Sequence, residues 1–229
     1  MLRFDIVSAV PELLTSPFDH SMMKRARDRG LLDVHVHDLR HYGLGKHQQI
    51  DDYQYGGGAG MVMMIEPIYR CFQELQASRP YDEVVFLAPD GERFNQSIAN
   101  ELSLKQNIIL LCGHYKGVDE RVRQHLITRE LSIGDFVLSG AELAAAILVD
   151  AVGRLLPGVL NNEESALLDS FQDDLIAPPV FTRPAEYQGW KVPAVLLSGH
   201  EAKIEEWRYL QAVQRTRERR PDLLDKDEF

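Results

Sequence analysis

Ile108-Ile-Leu-Leu-Cys-Gly-His-Tyr-Lys-Gly117 joins a strand-sized apolar run to a short loop bounded by two glycines. The run is too short for a helix and rich in branched side chains, so Ile108–Cys112 reads as a β-strand. Working outward, the same texture returns at Phe4–Val7, Val34–Val36 and Val84–Leu87, and it predicts a further strand at Phe136–Leu138. Helical stretches lie between these runs. Ser21–Arg29 has a candidate N-cap serine and stops at Gly30, Pro67–Ser78 opens on a proline suited to a first helical turn, and Ala141–Leu155 is alanine-rich and apolar. Strands alternating with helices imply an α/β layer structure with a mainly parallel sheet.

Two more stretches share the pattern of Leu111–Gly117: Phe86-Leu-Ala-Pro-Asp-Gly91 and Ile133-Gly-Asp-Phe-Val-Leu-Ser-Gly140. Ligands of open α/β sheets bind outside the C-terminal ends of strands. Small residues there let backbone N–H and C=O groups approach a ligand closely. Three such loops in one domain suit a nucleotide-like ligand, with an adenine between apolar walls from Leu87, Ile133 and Leu138. Other glycine and histidine signals are weaker. Gly56-Gly-Gly-Ala-Gly60 lacks the Gly-Lys-Ser/Thr ending of a phosphate loop and the spacing of the dinucleotide fingerprint, so it reads as a turn between elements. A nicotinamide-dependent oxidoreductase would need that fingerprint and its ribose-binding acid. His35, His37 and His41 have no carboxylate or cysteine at ligand spacing, and an edge strand with polar side chains explains them better than a metal site. No metal is expected. Cys112 reads as a small core hydrophobe.

The 229 residues are 45% hydrophobic and 26% charged, ordinary for a globular chain with a real core. No apolar run approaches the ~20 residues of a membrane span, and no membrane is expected. Met1-Leu-Arg-Phe-Asp-Ile-Val has no signal-peptide pattern, and two cysteines cannot build a disulfide framework, which together predict a cytoplasmic enzyme-like protein. The net charge of −10 argues against indiscriminate coating of nucleic acid. Basic side chains nevertheless cluster at Lys24–Arg29 and at Lys203, Arg208, Arg215, Arg217, Arg219 and Arg220. These are either solvated helix faces or a local site for a polyanion. Polar and proline-rich texture from Pro157 to Pro184 reads as a linker, and His200–Arg219 as one or two helices anchored by Trp207, Leu210 and Val213. The expected organisation is a domain over 1–160, a linker over 161–175 and a small helical domain over 176–229.

Asp51-Asp-Tyr-Gln-Tyr-Gly-Gly-Gly-Ala-Gly-Met61, Gly117-Val-Asp-Glu-Arg121, Ser132–Gly140 and Pro157-Gly-Val-Leu160 resemble the bacterial tRNA (guanine-N1)-methyltransferases of the TrmD type. So do Thr182-Arg-Pro184, Val192–Gly199 and Glu206-Trp-Arg208, and the likeness runs in order from Phe4 to about Leu224. The resemblance implies the SPOUT fold: an α/β domain with a deep trefoil knot, a homodimer, S-adenosylmethionine as methyl donor, and the anticodon stem–loop of tRNA with guanine at position 37 as substrate. It places the donor on Leu87, Pro89, Gly113, Tyr115, Ile133, Gly134, Asp135, Phe136, Val137, Leu138 and Gly140. Asp169 matches the family's general base, Arg154 its essential arginine, and Ser165 a linker residue that approaches the target nucleotide. The linker and C-terminal part of one subunit are expected to complete the site over the partner's donor. His114, Lys116, Ala141 and Ala177 depart from residues common in the family, which bears on side-chain contacts and leaves backbone contacts intact. A non-catalytic RNA-binding protein on the same scaffold is the alternative.

The chemistry suits these residue types. N1 of guanine carries a hydrogen at neutral pH, and a carboxylate such as Asp169 can take it. Charge then spreads onto O6, where the donor fork of Arg154 fits. Read without the resemblance, Asp169 is an exposed acid in a polar loop and Arg154 a cation at a helix C-terminus.

Overall fold

The computed structural model describes residues 1–160, 169–171 and 173–224. The chain divides into two compact units, Met1–Asn161 and Asn162–Phe229. In the first unit, five parallel strands form one sheet in the order β2-β1-β6-β5-β7: β1 is Leu2–Ser8, β2 Leu32–Asp38, β5 Glu83–Arg93, β6 Asn107–Cys112 and β7 Arg129–Ser132. A separate antiparallel hairpin pairs β3 (Asp51–Tyr53) with β4 (Met61–Met63).

The central strands are apolar at consecutive positions because both sheet faces are covered. On one face Phe4, Ile6, Val85, Leu87, Ile108, Leu110 and Cys112 meet α1 (Ser21–Asp28), α3 (Gln96–Ser103) and α5 (Glu142–Gly153). The other face sends Val7, Val84, Phe86, Ile109 and Leu111 against α2 (Ile65–Ser78) and α4 (Glu120–Leu126). Each such side chain, fully buried, contributes about 1.5–3 kcal/mol.

Local chemistry sets the helix ends. Asn95 caps α3 by accepting from the Ile98 N–H, which gives this asparagine a structural use. Pro67 sits in the first turn of α2, where its missing N–H removes no intrahelical bond. The cap of α1 is His20 rather than Ser21, because the extended backbone that a cap requires falls at His20.

β2 is an edge strand and carries His35 and His37 on one side, as its polar alternation suggested. Beside it lies a buried charge. Asp5 is fully buried and accepts from Arg3 Nε and NH2 at 2.7 Å each, from Tyr81 Oη at 2.8 Å, and pairs with His37 Nε2 at 2.7 Å. Burial alone would push its carboxyl up. The bonds from His37, Arg3 and Tyr81 outweigh it and hold the group below the usual carboxylate range.

Phe136–Leu138 is not a strand. The strand at this edge is the polar stretch Arg129–Ser132, held by pairing to β5. Within β5 the register against β7 slips between Leu87 and Glu92, so Ala88–Gly91 bulges out of the ladder beside the strand end.

In the second unit β8 (Glu186–Tyr187) pairs with β9 (Trp190–Lys191), and α6 is one helix, Glu201–Arg219. Its buried residues are Ala212 and Thr216. Leu210 is exposed, so the expected i, i+3, i+6 anchoring does not hold. The small pair at i and i+4 lets backbone approach closely: Thr216 Oγ1 donates to Ala212 O at 2.8 Å and accepts the Ile176 N–H at 2.9 Å.

Candidate active site

The C-terminal ends of β6 and β7 and the bulge within β5 open onto one cleft of about 180 Å³. Its walls come from three stretches: Phe86–Pro89, Gly113–Gly117, and Leu131–Ala141 without Asp135, with Ala144 of α5 behind them. This is the position at which an open parallel sheet binds its ligand. Leu87, Ile133 and Leu138 supply apolar surface, and the neighbouring backbone supplies donors and acceptors, a combination that suits a flat heteroaromatic ring.

Backbone contacts lock the loops together. Gly113 O accepts from the Ala141 N–H at 3.0 Å, and His114 bridges Gly140 in antiparallel fashion. Two glycines are required by close approach. A Cβ on Gly140 would lie 2.6 Å from the His114 ring and closer still to Glu142 Oε2, while one on Gly113 would press 3.0 Å from Phe86. Tyr115 holds the left-handed region at φ 59°, a conformation uncommon for a side chain of that size.

Ten of the eleven residues assigned to the donor line this cleft: Leu87, Pro89, Gly113, Tyr115, Ile133, Gly134, Phe136, Val137, Leu138 and Gly140. Asp135 does not line it. Its exposed carboxylate pairs with Arg93 instead. Phe136–Leu138, misread as a strand, is exposed at the rim, because a segment running from Gly134, at φ 152°, to the close contact at Gly140 leaves the ladder. Sequence reasoning missed Leu131 and Ala144, which the fold brings in from β7 and from α5, and no local signal marked either.

Beneath the cleft, Glu142 is fully buried in the first turn of α5 and accepts from Ser8 Oγ at 2.7 Å. Among the described residues its Oε2 has no hydrogen-bond partner. Burial, with the Glu142 charge adding to it, pushes the Cys112 thiol well up, and burial pushes Cys71 up to about 12. Both thiols therefore stay protonated and unreactive at neutral pH.

Arg154 is the half-buried C-cap of α5 in the first unit. Asp169 is half-buried in the second unit, and Ser165 lies outside the described residues. No group of three or more His, Cys, Asp or Glu side chains able to hold a metal occurs among the described residues. No helix there is long and apolar enough to cross a membrane. The basic stripe on α1 is largely engaged within the unit: Lys24 with Asp28, Arg27 with Asp19, and Arg29 with the Gly158 carbonyl. On α6, Lys203, Arg208, Arg217 and Arg219 are exposed.

The profile of the tRNA (guanine-1)-methyltransferase TrmD family matches residues 2–226. The chain is 60% identical over 226 residues to the tRNA (guanine-N(1)-)-methyltransferase of Christiangramia forsetii, covering 99% of this chain and 100% of that protein. It is 59% identical over 224 residues to the protein of the same name from Bacteroides fragilis, and 60% over 225 residues to that of Flavobacterium johnsoniae, each covering 98% of this chain and 100% of the relative.

Proposed function

The chain belongs to the TrmD family of tRNA (guanine-1)-methyltransferases, and on that premise we propose that it transfers the methyl group of S-adenosylmethionine to N1 of guanine 37 in tRNA. The observation that carries this reading is end-to-end similarity to enzymes of that name, joined to a cleft at the strand ends built from the loops the family would use. The non-catalytic alternative has no such support, since the relatives compared carry an enzyme's name.

The cleft residues fit the donor. Leu87, Ile133 and Leu138 would sandwich its adenine, while the close-packed glycines Gly113 and Gly140 let backbone groups reach the ring edge. When bound, S-adenosylmethionine supplies a methyl group activated by a sulfonium. The chain's own residues then do the rest. Asp169 takes the N1 proton of guanine, Arg154 meets the charge that spreads onto O6, and Ser165 approaches the target nucleotide. Holding N1 in line with the methyl is the larger part of the catalytic task.

The family also brings a deep trefoil knot, a homodimer and a cytoplasmic setting where tRNA is met. The bonds that tie the Gly113–Gly117 loop to Gly140 and Ala141 support interlocked loops. Leu143 and Ile147, one turn apart on α5, are 54% and 52% exposed, an apolar stripe that a second copy would cover. The exposed cations of α6 suit phosphate contacts along the anticodon stem, which position rather than specify.

Methyl transfer to unmodified tRNA transcripts carrying guanine or adenine at position 37 tests the reaction. N1-methylguanine should form only in the first. Absence of product with saturating donor, or equal methylation of both, would overturn it.

A further inference from the structure

The β3–β4 hairpin is attached to the cleft. Lys116 N–H donates to Met61 O at 3.0 Å, Met63 N–H to Gly117 O at 2.9 Å, and Asp119 N–H to Met63 O at 2.9 Å. Gly60 lies so close to the Lys116 stem that a Cβ there would come within 2.7 Å of Lys116 Cγ. The hairpin and the second cleft loop are therefore one piece.

Its turn runs through Gly56, Gly57, Gly58 and Gly60, with φ of 84°, 80°, 124° and 93°, backbone that other residues adopt at a cost. Leading into this turn, Tyr55 is 100% exposed and Tyr53 78% exposed. Neither ring stabilises the core, and the Gly56–Gly60 turn that follows them bears no large aliphatic side chain that would make an apolar patch for a protein partner. Cations stand beside them instead. Lys116 is exposed on the bonded loop, whereas Arg121, also exposed, is already paired in bidentate fashion with Asp119, Nε to Oδ1 at 2.9 Å and NH2 to Oδ2 at 2.6 Å. Asp52, the acid beside Tyr53, already accepts the Tyr53 N–H at 2.7 Å.

Open aromatic faces next to positive charge are what single-stranded nucleic acid requires: bases stack on the rings while the cations meet phosphates. We propose that the hairpin is an RNA-stacking finger in which Tyr55 stacks on an unpaired anticodon-loop nucleotide flanking the target guanine, with Lys116 facing the adjoining phosphate. This rests on the proposed tRNA substrate and adds a contact site at the cleft rim, apart from the basic helix α6.

The test uses the full-length protein and an anticodon stem–loop RNA with 2-aminopurine next to the target guanine. Wild type should bind with quenching of the 2-aminopurine. Tyr55→Ala should lose the quench and weaken RNA affinity by about tenfold, within the range for one stacked base. Tyr55→Phe, which keeps the ring, should restore both, and S-adenosylmethionine affinity by calorimetry should match wild type in every variant. RNA affinity of Tyr55→Ala within twofold of wild type, or Tyr55→Phe as weak as Tyr55→Ala, overturns the finger. The readout is RNA binding, so the two readings fail separately. A wild type that never methylates guanine 37, yet binds RNA through Tyr55, would overturn the reaction and support the finger.

Discussion

Ser8 Oγ, at the last residue of β1, donates to Glu142 Oε1 over 2.7 Å, joining the sheet to the first turn of α5 across 134 positions of sequence. Both residues are fully buried. The bond anchors a carboxylate against Gly140, a residue of the cleft wall. The positive end of the α5 dipole favours an anion there, which offsets part of the desolvation.

Ser8→Ala removes the hydrogen bond to that carboxylate and leaves a buried acceptor unsatisfied. The expected loss is about 2 kcal/mol of folding stability. Urea unfolding at neutral pH measures it, and a midpoint equal to wild type would show that the bond is not stabilising.

Asp5 gives the fold a dependence on acid. Its carboxyl is held below the ordinary value by His37, Arg3 and Tyr81, against the effect of burial. A depressed folded-state pKa contributes stability that is fully present above the unfolded value of about 3.9 and is lost as pH falls toward the folded value. Asp5→Asn should cost about 3 kcal/mol at pH 7, as expected when one member of a buried ion pair is removed. The gap between wild type and variant should hold down to about pH 5 and narrow below about pH 4. Unfolding curves across that range check the sign, and a gap that widens in acid contradicts it.

Gly140→Ala places a Cβ against His114 and Glu142, at a contact no real Cβ makes. Relief requires the His114 ring, the buried Glu142 carboxylate or the third cleft loop itself to shift, and overpacking of this kind costs about 1–3 kcal/mol. S-adenosylmethionine affinity should fall by at least about tenfold in calorimetry, while the thermal midpoint falls only modestly. Unchanged affinity would mean that the loop does not shape the donor site.

Asp169→Asn keeps size and removes basicity. Methyl transfer in single turnover should slow by at least about 10²-fold, the lower end for losing a general base, or roughly 2.7 kcal/mol. Donor affinity should stay near wild type. A near-normal rate would move the proton to solvent or to a phosphate oxygen.

Ile147→Glu puts a charge into the exposed stripe that Ile147 makes with Leu143. If a second copy covers that stripe, sedimentation should show monomers and methyl transfer should collapse with them. A dimer of wild-type mass and activity would place the interface elsewhere.

How much of this was legible in the chain depends on what each residue answers to. β1, β5 and β6 read correctly because strands buried in a covered parallel sheet must be branched and apolar at nearly every position, a local signal that survives without coordinates, while edge strand β2 showed through the alternation of Val34 and Val36 with histidines. The three loops that line the cleft stood out in the sequence because glycine and small residues mark backbone that must come close to something. Arg129-Glu-Leu-Ser132 was invisible. Its charged side chains carry no strand propensity, and only hydrogen bonding to the bulged edge of β5 makes it β7. Phe136–Leu138 failed in the opposite way, since apolar residues at a ligand site resemble those of a strand. Asp135 had a family match and a polar side chain, yet its direction was settled by Arg93, forty-two positions earlier in the chain. Ser8 and Glu142 look unremarkable in sequence, because nothing local says they meet. Composition and periodicity report what each residue needs from water and from its near neighbours. Which distant partner supplies that need, and which side chains share one cleft, is decided when the sheet order brings strand ends together.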